Sequence, residues 1–311
     1  MHQHHHSHSH AHHHSHASGA GAFRWSVLLN ALLTGVQLAI GIGFGSLALI
    51  GDAVHNLGDV LGLLLGWGAD HLSRRPARGR FTYGFGRSTH MAALINGLLV
   101  FAAGAVVVVE AIQRLRAPVP LAASPVAWAA LAGIVINLAC ARLFGDGHSH
   151  DLNRRAAVLH LLTDAAVSAA VLLTALLVWL TGWTMLDAIT ALLVGAVVMA
   201  SAMGLLREAL AASLDAAPPG LDLAALEAAL RALPGVEAVA ELHVWTMSTA
   251  RVVLTAHLRC DAASLAQSAT LLQLAEQRLA AFGIHKSTLQ LDGPQLRHAH
   301  QTPHDSPSSS A

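Results

Sequence analysis

Six apolar runs of about 20 residues each dominate the first two thirds of this 311-residue chain. A helix needs about 20 apolar residues to cross the roughly 30 Å hydrocarbon core of a bilayer, so each run is predicted to span a membrane. Only 12% of the residues are charged and the mean hydropathy is +0.53, whereas soluble domains are about 25% charged. The predicted spans cover residues 23–44, 47–71, 89–113, 122–144, 156–180 and 184–206.

Arginine is distributed unevenly between the two sides that these spans separate. Ten arginines lie at the leading end of the first span (Arg24), in and beside the second-to-third and fourth-to-fifth connections, and after the sixth span, whereas the opposite side has only Arg114 and Arg116. Positively charged connections stay in the cytoplasm, so both termini are predicted to be cytoplasmic. The predominance of Ala, Leu and Arg is typical of a GC-rich bacterial genome and indicates a bacterial inner membrane.

After residue 212 the composition becomes that of a small soluble domain. A helical period over Leu223–Leu233 is followed by two alternating runs, a second helical stretch (Ala263–Phe282) and a last strand (His285–Asp292). This order predicts an open α+β layer with helices over one face of a sheet. The fold class is therefore a six-helix all-α transmembrane domain plus a small cytoplasmic α+β domain. The predicted segments are a His-rich disordered N-terminus (1–22), the transmembrane domain (23–212), the cytoplasmic domain (213–293) and a disordered tail (294–311).

Two predicted spans contain a His and an Asp four residues apart: His55 and Asp59 in the second span, His160 and Asp164 in the fifth. Ionisable residues are costly in hydrocarbon and are functional candidates by default. Residues i and i+4 share a helix face, so two facing helices would present two imidazoles and two carboxylates to one point. That donor set suits tetrahedral Zn²⁺. Either pair alone fits a structural hydrogen bond or a proton relay as well as it fits metal binding. The same spacing, in the same order, in two spans favours metal binding.

Other polar residues in the spans have several possible roles. Asp52, one turn before His55, fits an acceptor that orients His55, a proton station, or a partner for a polar group on another helix. Candidates for that partner are Asn30, Asn96 and Asn137. Asp187 lies near the start of the sixth span, where we expect a solvated or snorkelling side chain.

These motifs resemble those of the cation diffusion facilitator family of metal/proton antiporters, over nearly all of residues 23–293. The resemblance rests on the stretches Ser46–Asp59, Tyr83–Arg87, His160–Asp164 and Leu242–Trp245. It implies that His55, Asp59, His160 and Asp164 bind the transported ion, and that His at the first position favours zinc over harder metals. It also implies a homodimer whose cytoplasmic domains, metallochaperone-like in fold, pair and bind metal.

The same resemblance implies metal ligands in the cytoplasmic domain at His243, His257, His285 and Asp292. Spacing alone does not show that these four residues converge, because a lone His on a strand is usually an ordinary surface or core residue. With these ligands, Zn²⁺ is expected both as the transported ion and as a regulatory ion.

The chain departs from the family pattern around the second-to-third connection. Thr89 stands where many members have an acidic residue, and His90 stands where an apolar residue is usual. The connection also lacks the Asp and His residues that form an extra metal site in some bacterial members. We therefore expect no metal site there, and a solvated or interfacial His90.

Two further His-rich segments lie on the predicted cytoplasmic side. Ten histidines fall within residues 1–16, in a pattern that fits either a native segment or an affinity tag, and such tracts chelate divalent ions weakly. His148, His150 and Asp151 form a smaller cluster in the fourth-to-fifth connection. That cluster fits either a metal-concentrating segment or a solvated turn.

The predicted function is proton-coupled efflux of Zn²⁺ from the cytoplasm, with Cd²⁺ and Co²⁺ as further candidate substrates. An enzyme is not expected, since no His-Glu-x-x-His or Walker motif is present and four protein ligands leave no position for water. Two cysteines are too few for a disulfide framework or a thiolate cluster, and a formal net charge of zero suggests no nucleic-acid partner. A metal-gated channel, or a membrane metal sensor that moves nothing uphill, remains an alternative.

Overall fold

The computed structural model describes residues 16–143, 152–248 and 251–293. In chain order the helices and strands are α1 (His16–Phe44), α2 (Leu47–Ser73), α3 (Ser88–Arg116), α4 (Ala123–Leu143), α5 (Leu152–Thr181), α6 (Met185–Ser213), α7 (Leu223–Arg231), β1 (Val236–Ser248), β2 (Arg251–Cys260), α8 (Ala262–Ala266), α9 (Ser268–Ala281) and β3 (Lys286–Asp292). Helices α1 to α6 are long and apolar enough to cross a membrane, which confirms the six predicted spans.

The chain divides into two compact units, one of Met1–Leu64 with Asn96–Met203 and the other of Leu65–Ile95 with Gly204–Ala311. In the first unit α4 packs against α5 and α1. Its main apolar core is made of small and branched side chains, among them Leu49, Val126 and Val171. Many large apolar side chains of the same helices are instead exposed. An apolar exterior of this kind is what a helix bundle needs to lie in lipid.

The start of α2 is held by a carboxylate from another helix. Asp187 of α6 is buried, and it accepts hydrogen bonds from Ser46 Oγ at 2.6 Å, Leu47 N at 2.7 Å and Ala48 N at 3.4 Å. The Ser46 hydroxyl in turn accepts from Leu49 N at 3.1 Å. The first N–H groups of a helix have no partner within the helix, and here Asp187 and Ser46 satisfy three of them. The expectation that Asp187 is solvated is wrong, because its carboxylate is needed at this helix end.

A tight turn between α1 and α2 brings these groups into position. Gly45 has a φ of +79°, in the left-handed region that favours glycine, and a Cβ at this position would lie 2.9 Å from Pro120 O. Arg114 Nη1 donates a hydrogen bond to Gly45 O at 2.6 Å. The turn is therefore closed on the connection between α3 and α4, with no space for a side chain at residue 45.

In the second unit, a three-stranded sheet has the order β1-β2-β3, with β1 and β2 antiparallel and β2 and β3 parallel. Parallel neighbours need a crossover connection, which α8 and α9 provide. Side chains on one face of β2, including Leu254 and Leu258, are fully buried with Leu226 and Leu230 of α7 and Leu279 of α9. One face of the sheet is thus covered by helices, which confirms the predicted α+β layer.

The predicted helix over Ala263–Phe282 is divided into α8 and α9 at Gln267, whose φ and ψ of −110° and 32° are not helical. Asp261 caps α8 by accepting a hydrogen bond from Ser264 N at 2.6 Å, and this bond lowers the pKa of the Asp261 carboxyl. At the end of β2, burial raises the pKa of the Cys260 thiol. A buried, protonated thiol is a poor metal ligand.

We predict that Asp187→Ala destabilises the protein. The change leaves the N–H groups of Leu47 and Ala48 unpaired in a buried position, at a cost of about 1–3 kcal/mol for each group. Thermal unfolding of the detergent-purified protein, followed by tryptophan fluorescence, should show a lower midpoint. Asp70→Ala, which removes an exposed carboxylate from α2, is the control and should unfold close to wild type. Equal midpoints for both variants would contradict the capping role.

Candidate metal centre

The two His/Asp pairs of α2 and α5 meet between those helices. His55 Nε2 lies 3.4 Å from Asp164 Oδ1, and His160 Nε2 lies 3.3 Å from Asp59 Oδ2. The distances within each helix are slightly longer, 3.9 Å from His55 to Asp59 and 3.7 Å from His160 to Asp164. Each imidazole therefore faces one carboxylate from its own helix and one from the other helix.

These separations are close to those of a tetrahedral site. Ligand atoms at about 2.0–2.1 Å from Zn²⁺ in tetrahedral geometry are about 3.3 Å from one another. One ligand atom each from His55, Asp59 and Asp164 lie within 4.8 Å of one another, the one group of three or more His, Cys, Asp or Glu atoms that does so in the described part of the chain. His160 lies outside this group of three, although its Nε2 is 3.3 Å from Asp59 Oδ2 and 3.7 Å from Asp164 Oδ2.

The carboxylate oxygens of this centre have the character of free ligands. Asp59 Oδ2 and Asp164 Oδ1 are buried and accept no hydrogen bond from the residues described, although an imidazole nitrogen lies near each of them. A buried carboxylate oxygen without a donor is costly. A divalent cation or protons on the imidazoles would satisfy it.

A cavity of about 370 Å³ gives access to the centre from one direction. On α2 its lining begins at Asn56 and runs to Leu63, and on α5 it runs from Ala157 to Asp164. The cavity therefore lies along the middle of α2 and the N-terminal half of α5. Its polar lining side chains are Ser26, Asn30, Asn56, Asp59, Asn96, His160 and Asp164.

Asp52 is fully buried, and its hydrogen bonds are to other helices rather than to His55. Its Oδ2 accepts from Gln37 Nε2 of α1 and from Ser168 Oγ of α5, both at 2.9 Å. Of the three roles considered for Asp52, the contacts match that of partner for polar groups on other helices. The predicted partners were the wrong ones, since none of the three asparagines bonds to it.

The three asparagines of the spans were expected to make interhelical hydrogen bonds, but several of their side-chain atoms have no partner among the described residues. Asn137 is fully buried, and both its side-chain polar atoms lack a partner among the residues described, as do Asn30 Oδ1 and Asn96 Oδ1. Sequence reasoning overlooked Gln37, Asn56 and Ser168 because a neutral polar residue in a long apolar run carries little signal. The spacing of Ser168, one turn after Asp164, was the available clue.

His90 is buried at the start of α3, so the expectation of a solvated or interfacial side chain is wrong. Ser88 Oγ donates a hydrogen bond to Ala69 O at 2.8 Å, which holds the start of α3 against α2. His90 lies within the first turn, and its Nε2 has no hydrogen-bond partner in the described residues. It belongs to no metal-ligand group found there.

In the cytoplasmic domain, the structure brings His257 and Asp292 together. His257 Nδ1 lies 3.0 Å from Asp292 Oδ2, because His257 is on β2 and Asp292 ends the adjacent β3. On the other side of the ring, Nε2 lies 3.6 Å from Glu241 Oε2. Glu241 sits at a register shift of β1 with a φ of +47°. Sequence reasoning did not single out Glu241, since a β-bulge leaves no clear pattern.

His243 and His285 are more distant members of the predicted cytoplasmic set. His243 is exposed on β1 opposite Thr255, on the sheet face that His257 also occupies, and it lines a separate cavity of about 840 Å³ with Arg87 and Trp245. His285 is exposed, immediately before β3. Within the described ranges of one protomer, the four residues do not bring three ligand atoms within 4.8 Å of one another.

The remaining predicted metal-binding segments lie outside the described residues. These are nearly all of the N-terminal histidine tract and the cluster of His148, His150 and Asp151.

Six membrane-spanning helices with a His/Asp group between two of them define a multi-pass membrane protein with a candidate divalent-cation site among its spans. Residues 24–212 match the cation efflux transmembrane domain, and residues 218–294 match the cytoplasmic domain of cation efflux proteins. The chain belongs to the cation diffusion facilitator family.

Several characterised proteins are similar over most of their length. A cation efflux system protein, CzcD, of Alcaligenes sp. is 32% identical over 271 residues, covering 86% of each chain. The zinc transporter ZitB of Escherichia coli is 37% identical over 226 residues, covering 72% of each chain. A cadmium, cobalt and zinc/H⁺-K⁺ antiporter of Bacillus subtilis is 27% identical over 267 residues, covering 84% of this chain and 86% of its own.

Proposed function

We propose that this protein exports Zn²⁺, and the related ions Cd²⁺ and Co²⁺, from the cytoplasm in exchange for protons. The observation that carries the proposal is the crossed arrangement of His55, Asp59, His160 and Asp164, with all four His-to-carboxylate distances between 3.3 and 3.9 Å. Two neutral imidazoles and two carboxylates provide the donors of a tetrahedral zinc site.

Charge balance supports exchange with protons. With Zn²⁺ bound, the two carboxylates of Asp59 and Asp164 neutralise the ion. Without it, one proton on each of His55 and His160 neutralises the same two carboxylates, at the short contacts described above. Exchange of one Zn²⁺ for two protons therefore keeps the centre neutral in both states, which avoids the high cost of net charge in hydrocarbon. Metal and protons compete because ligands must be deprotonated to bind.

The names of the relatives support the substrate class. ZitB is a zinc transporter, CzcD is a cation efflux protein, and the Bacillus relative is a cadmium, cobalt and zinc antiporter that exchanges H⁺ and K⁺. The arginine-rich connections support cytoplasmic termini. With that orientation, the cavity beside Asp59 and His160 opens toward the cytoplasm, from which the ion would enter.

The cytoplasmic domain is proposed to pair with that of a second protomer and to bind regulatory Zn²⁺. His257 and Asp292 form the core of this second site, with His243 on the same sheet face. His257 and Asp292 together supply only two metal-ligand atoms. The other ligands must therefore be residues of the same protomer that move toward this pair, or residues of the second protomer. His285 remains a candidate ligand through the family resemblance.

We predict that Zn²⁺ uptake into inside-out proteoliposomes depends on a proton gradient and on Asp59. With an acidic lumen, an encapsulated fluorescent indicator should report rapid uptake by wild type, and collapse of the gradient should prevent accumulation above the external concentration. Asp59→Asn should reduce the initial rate to the level of empty vesicles, because it removes one of the two charges that balance the ion.

Asp70→Asn is the matched control for that experiment, since it removes an exposed carboxylate further along α2. It should transport at close to the wild-type rate. Uptake that equilibrates equally fast with and without the gradient would point to a metal-gated channel. Normal uptake by Asp59→Asn would place the transport site elsewhere.

We predict that His55→Asp broadens transport toward harder ions such as Mn²⁺. The change makes the donor set on α2 all-oxygen, which suits harder metals than imidazole does. The same vesicle assay, repeated over a series of divalent ions, should show Mn²⁺ uptake that wild type lacks. An unchanged series of relative rates would show that His55 does not determine selectivity.

We predict that His257→Ala weakens Zn²⁺ binding to the cytoplasmic domain by about 10-fold or more, and that His285→Ala weakens it less. Calorimetry is done on the full-length protein with Asp59→Asn and Asp164→Asn present to silence the intramembrane centre. Weak binding by the N-terminal histidine tract is the same in every variant and cancels in the comparison between them. His285 is the matched control, as an exposed histidine of the same domain. Equal effects of the two changes would favour the complete four-residue set.

A further inference from the structure

A second group of buried polar side chains lies next to the metal centre without providing any of its ligands. It consists of Gln37 on α1, Asp52 on α2 and Ser168 on α5, and we call it the Asp52 cluster. All three side chains are fully buried. Both hydrogen bonds of the cluster converge on Asp52 Oδ2. One carboxylate therefore ties together three membrane spans.

The Asp52 cluster is adjacent to the ligands on both helices. Asp52 precedes His55 by about one turn of α2, and Ser168 follows Asp164 by about one turn of α5. Asn56, which lines the access cavity, donates to Gln37 Oε1 at 3.4 Å and so links the cavity wall to the cluster. Neither Asp52 nor Ser168 lines that cavity. Along α2 and α5, Asp52 and Ser168 instead lie beyond the ligands, at the end of the site away from the cavity lining.

Beyond the cluster, one turn further on each helix, the packing becomes apolar. Leu49 on α2 and Val171 on α5 are buried in the same core as Val126 and Ala130 of α4. An ion that entered by the cavity and left toward the α1–α2 turn would have to pass the Asp52 cluster first and this apolar layer second.

We propose that the Asp52 cluster is the closed gate of the metal centre on the side of the α1–α2 turn, and that Asp52 acts as a positioning residue whose hydrogen bonds separate when the ion leaves. This inference rests on the proposed transport function. It assigns the described conformation to the state that is open through the cavity and shut at the cluster.

Hydrogen bonds are suited to such a gate. In the shut state Gln37 and Ser168 satisfy one oxygen of the buried carboxylate. In an open, wetted state, water would replace both donors, so the polar groups remain paired on either side of the transition. The three spans can thus separate at this level without leaving a buried charge unpaired.

Helix α4 packs against the Asp52 cluster, and several polar atoms at this contact have no hydrogen-bond partner among the described residues. Asp52 Oδ1 and both polar atoms of Asn137 have no partner within the described parts of the chain. Asn137 is one turn from Gly133, where an added Cβ would lie 2.8 Å from Ser168 Oγ and 3.0 Å from Gln37 Nε2. Helix α4 therefore packs directly on the cluster.

The gate can be tested by the reactivity of a single cysteine placed behind it. Val171→Cys, in a protein that also carries Cys140→Ala and Cys260→Ala, puts a thiol in the buried apolar layer. A membrane-impermeant maleimide is applied to proteoliposomes from the side of the access cavity, so that it must pass the Asp52 cluster to reach this thiol, and the labelling rate is measured without metal. The parent protein should be labelled slowly, since Val171 is 1% exposed.

Ser168→Ala and Asp52→Leu should each raise the labelling rate by about 10-fold or more, because each removes hydrogen bonding to a charged group that holds the gate shut. Asp52→Asn should stay within about threefold of the parent, since its amide oxygen still accepts from Gln37 and Ser168. Zn²⁺ binding to the metal centre, measured by calorimetry on each variant in detergent, should remain within about threefold of the parent, because all four ligands are retained.

Thr174→Ala is the matched control. Thr174 is also a buried hydroxyl of α5, and its Oγ1 lies 2.6 Å from Thr190 Oγ1 of α6, so the change removes an interhelical hydrogen bond outside the cluster. Its labelling rate should equal that of the parent. Faster labelling of Thr174→Ala, equal to that of Ser168→Ala, would mean general loosening and would overturn the gate.

Two other results would also overturn it. If neither Ser168→Ala nor Asp52→Leu raised the labelling rate, the hydrogen bonds of the Asp52 cluster would not be what closes the gate. Labelling of Asp52→Asn as fast as Asp52→Leu would show that the charge of Asp52, rather than its hydrogen bonds, is what matters. Because labelling requires neither metal nor transport, failure of the proposed transport function would appear separately, as absent Zn²⁺ binding or uptake in the parent protein.

Discussion

A carboxylate inside a membrane must be paired with a cation, a proton or hydrogen-bond donors, because hydrocarbon provides none of these. Four aspartates of the helix bundle meet this requirement in different ways. Asp59 and Asp164 face imidazoles across the gap between α2 and α5, Asp52 takes donors from α1 and α5, and Asp187 takes backbone donors from the start of α2. The arrangement of the surrounding helices follows from satisfying these four groups.

Helix α2 participates in every one of these interactions. Asp187 of α6 holds its first turn, the Asp52 cluster connects its next turn to α1 and α5, and the metal centre connects the turn after that to α5. Past Asn56 the same helix lines the access cavity. The polar contacts to other helices thus begin at the first turn of α2, and the cavity lining overlaps only the last of them, at Asn56 and Asp59.

The cytoplasmic domain follows different rules, because water is available to it. Its stability comes from apolar burial between the sheet and the helices α7 and α9, and its polar side chains collect on the opposite face. There the parallel register of β2 and β3 places His257 against Asp292, and a bulge in β1 turns Glu241 toward the same ring. In one protomer this gives a histidine held between two carboxylates rather than a full metal site.

The amino-acid sequence by itself determined the six spans, the α+β layer and the two His/Asp pairs, because hydrophobic run length, strand alternation and i, i+4 spacing are properties of local sequence. It also determined the family, through the motifs around those pairs. Only the tertiary structure decided that Asp187 caps α2, that His90 is buried, and that Gln37 and Ser168, rather than any asparagine, bind Asp52. Those outcomes depend on how far each helix is rotated and shifted against its neighbours. Residues such as Asp187 and Ser46, 141 positions apart, leave no trace of their contact in local sequence.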